Sequence, residues 1–140
     1  MKVDPELVSE VLFDALARGE SVRLRVRGVS MLPWLREGDR VCIRPLAGRR
    51  LRRGDVALFR RAPSRLILHR VVGVRTEAGA DICDCLGDSE SGSPERVPVS
   101  EVVGVVETTS LRRAAYRMLH RPRRLLNRWL SKWGLRLRHE

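Results

Sequence analysis

The sequence predicts a mainly β body, a small coiled sheet or partial barrel, with an N-terminal helix and C-terminal amphipathic helices. Three observations carry this. The hydrophobic period changes from helical to two at Ser21. Several short strand candidates then follow, separated by Gly-Asp and Ser-Gly-Pro turn signals. The charge also shifts: residues 1–109 hold 18 basic and 16 acidic side chains, whereas residues 110–140 hold 10 and one.

Residues 5–18 form the helix. Asp4 caps it, Pro5 suits its first turn and Gly19 ends it. Leu7, Val8, Val11, Leu12 and Leu16 share one face, which docks on the core. From Ser21, Val22, Leu24 and Val26 alternate with Arg23, Arg25 and Arg27, as in a half-buried strand. Further strands are expected at 40–44, 55–60, 65–75, 80–86 and 102–107. Turn signals lie at Glu37-Gly38-Asp39, Arg53-Gly54-Asp55 and Ser91-Gly92-Ser93-Pro94. Beyond Ser110, Leu111, Ala115, Met118, Leu125, Trp129, Trp133 and Leu137 recur at steps of three and four. Arginines fill the positions between, and Pro122 separates two helices. The domain assignment is 1–109 for the body and 110–140 for a basic helical tail.

Composition narrows the function classes. The chain has 140 residues and a net charge of +11, enough for one domain with a real core. The body is nearly neutral, which argues against a uniformly basic nucleic-acid-binding domain. Three cysteines, Cys42, Cys83 and Cys85, make no disulfide framework and suit a reducing compartment. No apolar run is long enough for a spanning helix. The N-terminal stretch carries acids within its apolar residues and does not read as a signal peptide. These features together favour a cytoplasmic protein that meets a membrane, if at all, from its surface.

The chemistry concentrates at Gly28-Val29-Ser30-Met31-Leu32-Pro33. A nucleophilic serine needs an exposed hydroxyl on a rigid backbone, with N–H groups nearby for an oxyanion. Turn residues beside glycine and proline look the same, so Ser30 needs a base to stand out. The only lysines, Lys2 and Lys132, lie at the ends of the chain. His69 is the only histidine before residue 120. It sits in the apolar strand Leu66–Val72 and by alternation shares a face with Ile67 and Val71. It reads either as a partly buried core histidine or as the base for Ser30.

The order of the motifs adds what neither residue has alone. Ser30-Met31-Leu32-Pro33 precedes Glu37-Gly38-Asp39, Arg53-Gly54-Asp55-Val56, His69-Arg70-Val71-Val72, Gly87-Asp88 and Val103-Gly104-Val105-Val106. Over residues 21–107 this resembles the signal peptidase I superfamily of serine peptidases. It resembles the branch that uses histidine as the base, as in archaeal, endoplasmic-reticulum and sporulation-type signal peptidases. The resemblance implies a signal-peptidase-type fold and a serine endopeptidase, with Ser30 as nucleophile and His69 as base. It aligns Gly87-Asp88 with the family's late motif, so Asp88 becomes a candidate to orient His69. The family's further acid is missing from Asp88-Ser89-Glu90-Ser91-Gly92-Ser93-Pro94-Glu95, so Glu90, Glu95 or no acid at all are the alternatives. Met31 matches the methionine after the nucleophile, and Met31 and Trp34 are candidate substrate contacts.

The implied substrate is an extended peptide or protein segment, with small side chains at the cleaved bond. No cofactor and no metal is implied. Asp39 and Asp55 read as turn formers bonding local N–H groups. Cys83 and Cys85 read as two small buried side chains rather than zinc ligands. The tail, with Trp129 and Trp133 on its apolar stripe, suits an anionic membrane surface or a partner protein better than nucleic acid. The alternative function is a weak or inactive peptide-binding or maturation module that keeps the same fold.

Overall fold

The computed structural model describes residues 5–62 and 65–107. The chain divides into two units, Met1–Glu107 and Thr108–Glu140, and the account below concerns the first. The expected tail helices and the Asp4 cap lie outside the described residues.

The expected helix is present as α1, Pro5–Ala17. Its end follows from Gly19, whose φ of +82° is accessible to glycine without strain. Glu20 N donates to Ala15 O and Gly19 N to Leu16 O, each at 3.0 Å, which satisfies the last carbonyls of the helix. Leu12 and Leu16 carry its buried face, whereas Val11, expected on that face, is 61% exposed, because the stripe that docks is narrower than the apolar spacing implied.

The strands are β1 (Val22–Arg25), β2 (Arg40–Arg44), β3 (Val56–Ala62), β4 (Arg65–Glu77), β5 (Ala80–Leu86), β6 (Glu95–Pro98) and β7 (Val102–Val106). They form one antiparallel seven-stranded sheet in the order β1-β2-β7-β3-β4-β5-β6, which does not close. The last strand in sequence thus lies between the second and the third. Strand β6 was not expected. It has one fully buried apolar residue, Val97, and ends at Pro98, too little for a period to show.

Both faces of the sheet carry a core. One core gathers Leu12 and Leu16 of α1 with Val26, Met31, Val41, Ile43, Val56, Leu58 and Val106. The other gathers Leu51, Ala57, Phe59, Val71, Cys83, Cys85, Val97, Val102 and Val105. Strand β3 serves both: Val56 and Leu58 point one way, Ala57 and Phe59 the other. This is why 56–59 reads as an unbroken apolar run rather than an alternation. Cys83 and Cys85 are fully buried on one face, as expected, with their sulfurs 3.7 Å apart. Among the described residues no helix is long and apolar enough to cross a membrane.

Gly104 on β7 lies close against β2. A Cβ there would lie 2.7 Å from both Arg44 O and Ile43 Cγ2. Gly104→Ala therefore pushes β7 away from β2, and we expect a loss of about 1–3 kcal/mol in urea unfolding, as for other overpacked cores.

Candidate active site

The site is built from three short segments held around β4. The first is the turn after β1. Val26 N donates to Asp39 O and Gly38 N to Val26 O, both at 2.8 Å, so residues 27–37 leave the hairpin as a closed loop. Asp39 Oδ2 accepts from Arg36 N at 2.9 Å, as expected of a turn former. Within the loop, Met31 points inward and is 2% exposed, a member of the first core. Leu35 N bonds Met31 O at 2.9 Å. Met31 thus anchors the loop that carries Ser30, which is half-buried. In this conformation its side chain offers no surface to a peptide. Trp34 is half-buried on the same loop, and Val29, beside Ser30, is 61% exposed.

The second segment is the turn before β3. Asp55 Oδ2 accepts from Arg52 N at 2.8 Å, the second expected Asp turn. Gly54 N donates to Val71 O and Val71 N to Asp55 O, at 2.8 and 2.7 Å, which lashes this turn to β4.

The third is the loop after β5. Ser89 N donates to Ser30 O and Ser89 Oγ to Val29 O, both at 2.9 Å. Gly87 is the point of closest approach. A Cβ on it would lie 2.7 Å from Ser30 O and 3.0 Å from Ser30 Cβ. Only glycine lets the serine loop settle here.

Arg70 ties the second and third segments together. Its Nε and Nη2 donate to the two oxygens of Asp88, at 3.1 and 2.7 Å, and its Nη1 donates to Gly54 O at 2.9 Å. The side chains are 5% and 0% exposed. The Asp88 carboxylate is thereby engaged by a guanidinium, rather than by the imidazole it was expected to orient. Sequence reasoning missed this role for Arg70, although the residue stands in the His69-Arg70 motif.

His69 lies next to Arg70 on β4, opposite Ala57 on β3. It faces the second core as alternation predicts, and its ring meets Phe59 edge-on at 6.2 Å between centroids. Its side chain is 14% exposed, and Nε2 stands 3.6 Å from Glu90 Oε1. The other Glu90 oxygen accepts from Gly87 N at 3.3 Å. Contacts thus run from His69 to Glu90, from Glu90 to Gly87 and from Gly87 to the Ser30 loop, but no hydrogen bond joins Ser30 to His69 among the described residues. The acid beside the imidazole is Glu90, while Glu95 pairs with Arg61.

Burial holds His69 below the ordinary histidine range, Glu90 and Asp88 oppose this, and Arg61 adds to it. The imidazole is therefore neutral at neutral pH. Nδ1 is buried without a hydrogen-bond partner. A bare lone pair there costs less than an unpaired N–H, so the tautomer with its proton on Nε2, towards Glu90, is favoured.

The chain matches no protein-family model, and it matches no curated protein in sequence.

Two predictions follow from this geometry. Asp88→Asn leaves Arg70 charged in a dry site, so urea unfolding should show a loss of about 3–5 kcal/mol, and the double variant Arg70→Met/Asp88→Leu should recover most of it. Glu90→Gln removes the strongest influence holding the His69 pKa up. An imidazole NMR titration should then place that pKa lower than in the unsubstituted protein.

Proposed function

We propose that the protein is a serine endopeptidase of signal-peptidase type that cleaves an extended peptide. Ser30 Oγ attacks the scissile carbonyl and His69 takes its proton, then returns it to the leaving amine. Backbone N–H groups near Ser30 hold the oxyanion. The observation that carries the reading is a histidine kept neutral by burial and linked through Glu90 and Gly87 to the serine loop. A base must be unprotonated at working pH, and burial supplies that here. The motif order that resembles the signal peptidases supports the same roles. Glu90 takes the place in this scheme first given to Asp88, and Trp34, half-buried on the serine loop, keeps its proposed role as a substrate contact.

A second reading, a peptide-binding module without catalysis, draws on one observation. In a working triad an acid fixes the imidazole from the nitrogen remote from the nucleophile. Here Nδ1 is the buried nitrogen without a partner, and the acid stands on the Nε2 side.

The proposed cellular setting is cytoplasmic and peripheral on a membrane, with residues 110–140 on anionic lipid. That segment's 10 basic side chains against one acid support it.

The deciding assay is peptide cleavage by the purified protein, across a library with small residues flanking the scissile bond. Ser30→Ala and His69→Ala should each lower the rate by at least about a thousandfold while leaving the fold intact. The acid limb of kcat/KM should fall below the ordinary histidine pKa. Cleavage that survives both substitutions rejects the mechanism, and specific binding without cleavage selects the second reading.

A further inference from the structure

Strand β1 is an edge of the sheet: among the described residues its backbone pairs only with β2. Val26 bonds inward to the β2 side through both its N–H and its carbonyl. Antiparallel alternation then turns the backbone groups of Val22 and Leu24 inward and those of Arg23 and Arg25 outward. The edge therefore offers an addressable pair of donors and acceptors at Arg23 and Arg25.

The side chains at this edge have a sharp two-faced character. Val22 and Leu24 are half-buried against the first core. Arg23 and Arg25 lie exposed on the opposite face, joined there by Arg40 and Arg44 of β2. The register sets Arg25 directly opposite Arg40. Like charges facing each other across a ladder are destabilising. Arg44 is paired with Glu107 at 3.3 Å. Among the described residues no ion pair engages Arg23, Arg25 or Arg40. The face carries an uncompensated positive charge beside a free strand edge.

We infer that β1 takes an extended acidic segment as an added strand, with carboxylates at alternate positions against Arg23 and Arg25, in the positive field to which Arg40 adds. The residues between those carboxylates are aliphatic, because they fall on the side of Val22 and Leu24 and extend the first core. An added strand places directly opposite residues on the same face at about 5 Å between Cβ atoms, within reach of an arginine–carboxylate pair. The proposal names the substrate class for the peptide site above and rests on that reading, since β1 runs directly into the loop that carries Ser30. Single-stranded nucleic acid fits this face less well, because residues 23, 25, 40, 42 and 44 include no aromatic on which a base would stack.

The test uses the full chain and a fluorescent synthetic peptide of alternating glutamate and valine, followed by alanines. Its partners are the same peptide with glutamine for glutamate, and one with an N-methylated backbone at the pairing positions. Anisotropy should show the acidic peptide binding about tenfold tighter than the amide version, in proportion to two exposed ion pairs. Arg23→Gln/Arg25→Gln should erase that difference with thermal unfolding unchanged, and N-methylation should abolish binding. Ser30→Ala should bind as the unsubstituted protein does. Equal affinity for the two peptides, an unaffected arginine variant, or no binding overturns the proposal. Retained binding after N-methylation also overturns it, as loose condensation on arginines rather than strand addition. Capture of phosphatidylserine vesicles through the same arginines, without peptide binding, assigns the face to lipid instead. Tight acidic binding with no cleavage rejects the peptidase mechanism and leaves the binding site standing. Cleavage of acidic and amide peptides at equal rates, untouched by the arginine variant, does the reverse.

Discussion

Arg70 and Asp88 are both closed off from water, and either one alone would be an uncompensated buried charge. Together they form a two-pronged pair, and the remaining guanidinium nitrogen is spent on Gly54 O. That arrangement spans three pieces of chain distant in sequence: the turn before β3, the middle of β4, and the loop after β5. The loop after β5 in turn holds the Ser30 carbonyl through Ser89. His69, the residue before Arg70, inherits its position from this framework. The catalytic proposal thus depends on an ion pair that touches neither reacting group.

Where side-chain periodicity governs, the sequence was a good guide. The burial of Leu12 and Leu16 on α1, the alternation of β1 and the inward pair Cys83 and Cys85 all follow from spacing, whereas Val11 was wrongly placed on the buried stripe. So do the two Asp turns, because a carboxylate three residues after a backbone N–H is a local matter. Strand β6 escaped because four residues ending in proline show no period, and its pairing with β5 is a tertiary fact. The choice among Asp88, Glu90 and Glu95 could not be read either. All three lie within one loop and its exit, and only the path of that loop decides which reaches the imidazole. Arg61 claims Glu95, Arg70 claims Asp88, and Glu90 is left for His69. Met31 shows the same limit: one turn step separates an exposed contact from a core anchor.

His69 combines two requirements that pull in opposite directions. Contact with Phe59 and the second core keeps it neutral, while Glu90 draws it back towards protonation. With its proton on Nε2 towards Glu90, the ring keeps its free lone pair on Nδ1, which lies buried. Glu90 is nearly half exposed and bonded to Gly87 N at 3.3 Å. It is thus far more open to solvent than Asp88.

The placement of β7 between β2 and β3 has a consequence for biosynthesis. Strands β1 and β2, with the serine loop, form a local unit early in the chain, and β3 to β6, with His69, form another. Neither unit pairs with the other; β7 is the shared neighbour that joins them. Such long-range closure is slow relative to hairpin formation. A ribosome must therefore release residues up to Val106 before the sheet can be completed. Until then, among the described residues, the two pieces meet through loop and side-chain contacts alone, such as the bonds of Ser89 to Val29 and Ser30, with no strand ladder to hold them.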